Sequence, residues 1–236
     1  MCGKFTQMMS WSDLVALMRA LGGGSAMPDS AAGDDSGDRV ETATPMRGAR
    51  IIALDANGER HVVMMRWGFE APWERGKLVI HARCETVESL RTFRDAFAGR
   101  RGILVCRTFN EGEEVGSKTR QHVISPRDGR PLAIAVIYQQ AVAPDGSPFW
   151  TFAMVTTPPN ALIATITDRM PAVLRPGDWA KWLGEDAATT AELKAMLKPY
   201  EGDWEMTPQE PPRQAVSPKP PRAPHGAAKA SQGRLF

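Results

Sequence analysis

Cysteine is scarce in this chain, with three residues in 236, Cys2, Cys84 and Cys106. An odd, irregularly spaced set builds no disulfide framework and fits a reducing cytoplasm. Histidine is almost as rare, with four residues, His61, His81, His122 and His225, and their scatter gives no zinc-site spacing. No run approaches the roughly 18–20 apolar residues of a membrane span. A basic n-region leading into an apolar stretch is also missing, so no secretory signal is read and the chain starts Met1-Cys2. Charge of one sign is not in excess. A net +2 argues neither for nor against nucleic acid, and any basic surface must be local.

What is present is an ordinary globular composition, 42% apolar and 24% charged, over a length ample for a hydrophobic core. Ser10 to Asp13 reads as a capping box before a helix with Leu14, Leu17, Met18 and Leu21 on one face. Residues 22–38, rich in Gly, Ser and Asp, read as a mobile loop. The apolar runs 50–54 and 60–66 flank Asp55-Ala56-Asn57-Gly58 and predict a hairpin. Leu78 to Thr86 reads as a strand, and Thr86 as the cap of a helix carrying Leu90, Phe93 and Phe97. Residues 102–109, 132–138 and 149–157 are β-like runs. Thr189 to Glu192 is a second capping box, for a helix that stops before Pro199. Many strands and few, peripheral helices predict an α+β fold with a strongly curved, barrel-like mixed or antiparallel sheet. The domain is expected to span residues 1–205. Residues 206–236 follow as a disordered tail, with five Lys/Arg and no Asp or Glu from 211 onward.

Position 2 carries distinctive chemistry. A small residue after Met1 permits its removal, and Cys2 then holds an α-amine and a thiol on adjacent carbons. The α-amine has a reference pKa of about 7.7–8.0, so roughly a tenth of it is neutral near pH 7, several hundred-fold more than for lysine. Such an amine condenses with an aldehyde to a Schiff base. The thiol can then add to the imine and close a five-membered thiazolidine. Read alone, a Cys at position 2 is usually just a tolerated small residue.

Ordered segments bear on that choice. Residues 1–7, MCGKFTQ, resemble the MCGRF opening of the SRAP family, the SOS-response-associated, peptidase-like abasic-site processing proteins. Thr44-Pro45, RWGFEAPW (66–73), IHARCET (80–86), RTFNE (107–111) and TTPPNALIATITDRMPAVL (156–174) resemble further family segments in family order. The resemblance covers residues 2–205 and implies a covalent thiazolidine crosslink between Cys2 and an abasic site in single-stranded DNA. It also implies loss of Met1, a thiol-autopeptidase description, no cofactor and a monomer. By position it makes Glu111 the general acid/base. It assigns Lys4, Pro45, Trp73, Arg83, Arg91, Thr156 and Arg169 to the DNA, with Pro45 and Trp73 beside the lesion and the arginines on phosphates.

Two catalytic positions depart from the pattern. His81 stands where the family has Asn, and Thr167 where it has His. Either the chemistry has decayed and a noncatalytic DNA-binding module remains, or the imidazole lost at 167 is supplied from 81, where it serves proton transfer. A Cys-dependent peptidase acting on other proteins is a further alternative. Without the resemblance, Glu111, Glu113 and Glu114 read as a solvated acidic turn, Cys84 and Cys106 as core, and His61 and His122 as surface or sheet residues. Gln232, Leu235 and Phe236 end the chain in a pattern that looks like the Q-x-x-L-F peptide binding the bacterial sliding clamp, Leu and Phe filling an apolar pocket.

Overall fold

A computed structural model of the chain describes residues 3–7, 41–71 and 77–209. Cys2, the helix expected after Ser10, the loop 22–38, Trp73 and the tail with Gln232, Leu235 and Phe236 lie outside the described residues.

Fourteen strands and three short helices are described. In chain order they are β1 (Lys4–Gln7), β2 (Glu41–Ala43), β3 (Gly48–Leu54), β4 (Arg60–Trp67), β5 (Phe69–Ala71), β6 (Lys77–Val79) and β7 (His81–Arg83). Next come α1 (Arg94–Gly99), β8 (Arg101–Cys106), β9 (Thr108–Val115), β10 (Lys118–Pro126), β11 (Leu132–Val142) and β12 (Pro148–Thr157). The last are β13 (Met170–Pro171), α2 (Trp179–Leu183), α3 (Thr190–Met196) and β14 (Trp204–Pro208), the last carrying the sheet past the boundary expected at 205.

The larger sheet runs β11-β8-β3-β4-β12-β13, and a further β11–β12 pairing closes β11-β8-β3-β4-β12 into a ring. Pairing is antiparallel except where β12 runs parallel to β4 and β7. The α+β, barrel-like mixed sheet expected from the sequence is therefore the fold. A second sheet, ordered β14-β10-β9-β1-β2, brings the chain start into its interior.

Strand alternation sorts the side chains into two cores. Ile103, Val105, Ala133, Ala135 and Val155 face the layer holding Phe97, Trp182 and Leu193 of the helices. Leu104, Ile134, Val136, Phe152 and Met154 face the side shared with Phe5, Phe109 and Trp204 of the second sheet. Cys84 and Cys106 are buried as expected, and burial, followed by the charge of Glu85, pushes the Cys84 thiol up. The Asp55–Glu59 turn closes the β3–β4 hairpin, with Asn57 and Glu59 amides donating to Asp55 Oδ1 at 2.8 and 2.9 Å. Thr189 Oγ1 accepts from Glu192 N at 3.2 Å and Glu192 Oε2 accepts from Thr189 N at 2.8 Å, the expected capping box.

Two elements differ from expectation. The strand read over 78–86 breaks at Ile80, because β6 pairs with β5 whereas β7 pairs with β12. The helix expected from Thr86 begins only at Arg94. Residues 86–93 make successive turns instead, with Ser89 N and Leu90 N both donating to Thr86 O. Leu90 stays 47% exposed while Val87 and Phe93 are buried, so the apolar face expected there is not continuous.

Candidate active site

The second sheet fixes the chain start. Lys4 lies opposite Asn110 and Phe5 opposite Phe109 in the β1–β9 pair. Continuing that antiparallel register brings Gly3 alongside Glu111. The reading of Glu111 as part of a solvated acidic turn is corrected here: it lies within β9 and is 1% exposed, while Glu114 is exposed. It stands on the sheet face it shares with Phe109, Ile124 and His122, all of them buried. Gly112, on the opposite face of β9, is close to β10. A Cβ there would sit 2.6 Å from Thr119 Cγ2, so a larger side chain would force Thr119 to shift.

His81 enters from the other side. It opens β7 opposite Met154 of β12, and its imidazole meets the Trp67 indole with ring centroids 6.0 Å apart. The same indole touches Phe5 at 5.2 Å and donates its Nε1–H to Ile80 O at 3.0 Å. Trp67 thus ties β1 and β7 together. Glu111 lies on the strand paired with β1, and His81 connects to Phe5 of β1 through the shared Trp67 indole.

Thr44 to Arg47 form a turn, Arg47 N donating to Thr44 O at 3.0 Å. It puts Pro45 half-buried and Met46 52% exposed beside Trp67, whose carbonyl accepts from Met46 N at 2.9 Å. Met46 has φ 73°, the one non-glycine at positive φ among the described residues.

Arg83 lies exposed at the end of β7, in register with Thr156 of β12, which in turn faces Pro171 of β13. Arg91 is exposed in the turns before α1, and Lys4 is half-buried on β1. Thr156 is buried, 1% exposed. Thr167 is half-buried just after the 3-10 turn at Ile163–Thr165, its amide donating to Ile163 O at 3.1 Å.

Arg169, which the resemblance assigns to the DNA, is engaged within the protein in this structure. Its Nη1 and Nη2 donate to Glu85 Oε1 and Oε2 at 2.7 and 2.9 Å, and Nη2 also reaches Thr156 O at 2.7 Å. Both ends of the guanidinium fork are engaged within the protein, and its side chain is 9% exposed. The hydrogen bonds from Arg169 hold the Glu85 carboxyl well below its ordinary value, at about 2.

His122, read from the sequence as a surface or sheet residue, is in the sheet but not at the surface. It is buried in β10, directly opposite Glu111, with Nε2 at 2.9 Å from Glu113 Oε2. A signal for it exists: Val115-Gly116-Ser117-Lys118 is a two-residue hairpin turn with Gly116 at φ 62°. Once that turn is placed, residues 111 and 122 must oppose each other. A groove of about 780 Å³ at the β3–β4 turn, lined by His61, Tyr138 and Trp150, contains none of the residues expected at the site.

The family model described as SOS response associated peptidase (SRAP) matches residues 1–211. The chain belongs to that family. Abasic site processing protein YoqW of Bacillus subtilis is 28% identical over 211 residues, covering 86% of this chain and 89% of that protein. Abasic site processing protein YedK of Escherichia coli is 25% identical over 191 residues, 79% and 81% of the two chains. Among solved structures, a Bacteroides thetaiotaomicron protein superposes with a TM-score of 0.71 at 21% identity, covering 87% of this chain and 92% of its own. A Bordetella bronchiseptica protein does so with 0.70 at 20%, covering 89% and 100%. These two likenesses establish the fold.

Proposed function

We propose that this SRAP chain acts on DNA containing abasic sites, and that it does so by joining Cys2, freed of Met1, to the ring-opened aldehyde in single-stranded DNA. The names of its relatives support the substrate. The β1–β9 register carries the chemistry, because it sets Gly3, one peptide bond from Cys2, beside the buried Glu111.

The steps balance without a redox partner. The neutral α-amine adds to the aldehyde carbon and gives a carbinolamine. The carbinolamine loses its hydroxyl as water to form the imine, a departure that needs a proton. The thiol sulfur then adds to the imine carbon while its proton passes to nitrogen, closing the thiazolidine with net release of one water. Glu111 is the acid that protonates the departing hydroxyl, in a setting poor in water where such a transfer gains most. His81, held by Trp67, supplies the imidazole that position 167 lacks. Arg83, Arg91 and Lys4 hold phosphates, and Pro45 and Trp73 border the lesion. Met1 leaves either through the Cys2 thiol acting on its own peptide bond or through a cellular aminopeptidase.

Intact-mass measurement before and after incubation with a single-stranded oligonucleotide carrying one abasic site tests this. The expected masses are the chain less methionine, then that mass plus the oligonucleotide less one water. A protein that binds the oligonucleotide yet forms no adduct, with Met1 absent, would instead mark a noncatalytic DNA-binding relative.

A further inference from the structure

We propose that His122 is a positioning residue for Glu111, and that Glu111, His122 and Glu113 form a proton relay along one face of the β9–β10 hairpin. This rests on Glu111 being the acid of the proposed crosslinking reaction.

The geometry follows from the register. Glu111 faces His122 and Glu113 faces Arg120 as directly opposed cross-strand pairs. Opposed residues on one sheet face hold their Cβ atoms about 4.5–5.5 Å apart, within reach of a carboxyl and an imidazole. His122 Nε2 lies 2.9 Å from Glu113 Oε2. A carboxylate accepts only, so the imidazole carries its proton on Nε2 and turns Nδ1 into an acceptor when neutral. His122 Nδ1 is buried and bonded to no atom of the described residues. No hydrogen bond joins it to Glu111 in this structure, so the relay requires the carboxyl and the imidazole to close on each other across the hairpin as the proton moves.

The surroundings favour a charge that moves. The His122 side chain is 7% exposed, and Glu113, 30% exposed, leads from it to solvent. Arg120 Nη1 stands 3.6 Å from the same Glu113 oxygen and balances it. On the other flank of β10, His122 faces Pro208 of β14, with Met206 next on that face, so the β14 residues described on that face carry no charge. Lys4 of β1 is opposite Asn110, on the other face of β9. The relay thus has one interior carboxyl, one imidazole and one outer carboxyl balanced by an arginine.

In the reaction, the Glu111 carboxyl gives its proton to the departing carbinolamine hydroxyl and becomes a carboxylate. The His122 imidazolium returns a proton from Nδ1 to Glu111, keeping its Nε2–H on Glu113. Only O–H and N–H bonds are exchanged. The iminium formed on loss of water gives up its N–H proton, which returns through Glu111 to Nδ1, so the balance closes without a proton from outside.

Single-turnover crosslinking of the mature protein to an abasic oligonucleotide, measured across pH, tests the use of the relay. His122→Phe should lower the rate about tenfold or more and change the shape of the pH profile. His122→Gln can still donate to Glu113 but cannot hold the proton, so it should fold and yet stay slow. A His122→Gln protein with the wild-type rate and profile would overturn the proposal, because a merely structural histidine is replaced by glutamine. Binding of an undamaged oligonucleotide, unchanged in both variants, separates a lost relay from a lost fold. Imidazole ¹⁵N spectra test the coupling without any reaction. The His122 Nδ1 resonance should move in Glu111→Gln and the Nε2 resonance in Glu113→Gln, and an Nδ1 resonance indifferent to Glu111→Gln would also overturn the relay. Should the wild-type protein form no crosslink, the proposed function fails on that result, while the spectra still decide whether the two side chains share a proton.

Discussion

The Trp67 indole stands nearly edge-on to the His81 imidazole, the ring planes 70° apart and their centroids separated by 6.0 Å. A ring so placed is pinned by the indole quadrupole and by packing. Because the same indole touches Phe5, movement of β1 and of His81 are linked. On the proposed function this imidazole serves the proton transfers of imine formation. His81→Ala should therefore slow crosslinking by about a hundredfold. His81→Asn, which restores the residue that the family resemblance leads one to expect, should lose less because an amide can still orient the substrate. Rapid-quench gels with the abasic oligonucleotide give both rates. Unchanged rates in both variants, with Cys2→Ala inactive, would remove His81 from the reaction.

Met46 holds a backbone conformation that costs a non-glycine residue about 1–2 kcal/mol. Its side chain is 52% exposed, so little burial offsets that cost. Met46→Gly should raise stability in chemical denaturation by up to about 1 kcal/mol, part of the relief being lost to the greater freedom of glycine when unfolded. Exposed apolar groups beside Pro45 favour stacking on bases, so the same variant should bind single-stranded DNA more weakly.

Two of the sequence readings that failed did so for different physical reasons. Thr86 has the chemistry of a cap, and Leu90, Phe93 and Phe97 the spacing of a helix face, but local pattern cannot register that Leu90 has nothing to pack on. The acidic run at 111–114 suggests solvent because nearest neighbours do, whereas burial of Glu111 comes from strands β1 and β10 on either side of it. By contrast, the β3–β4 hairpin and the Thr189 capping box are encoded within a few residues of each other, and both are read directly. The partnership of Arg169 with Glu85 spans 84 residues and has no local sign at all.

The chain end offers a test independent of Cys2. If Gln232, Leu235 and Phe236 dock into an apolar pocket of a sliding clamp, deletion of residues 232–236 should abolish capture of the protein by immobilised clamp. Crosslinking to free oligonucleotides should be untouched. Capture that survives the deletion would remove the motif as a clamp anchor and leave the basic tail as a source of nonspecific DNA affinity.

Glu85 should shape acid stability. Its folded pKa, about 2, lies below the ordinary 4.5 because Arg169 donates to it. A depressed carboxylate contributes stability that is fully present above the unfolded value and disappears as pH falls through the folded one. The wild-type protein should lose this contribution between about pH 4.5 and pH 2, and Glu85→Gln should be flat there in urea titrations. At neutral pH the variant should be weaker by about 1 kcal/mol, a modest figure because the carboxylate side is nearly half exposed.

The same pair decides what Arg169 does for DNA. A guanidinium that neutralises a phosphate releases a counterion, and each such contact on a single strand adds about 0.7 to the slope of log affinity against log salt. Arg83 and Arg91 are exposed, and their replacement by alanine should reduce that slope by about this amount each. Arg169 has its fork committed to Glu85 and to Thr156 O. Arg169→Met should therefore lower stability, through loss of the bonds that tie β13 to Glu85 and β12, yet leave the salt slope as it was. A slope that falls in Arg169→Met as it does in Arg83→Ala would mean that DNA draws the guanidinium away from Glu85 on binding. In that case the ion pair is the resting state of a phosphate ligand, and Glu85→Gln should tighten DNA binding by removing the competitor.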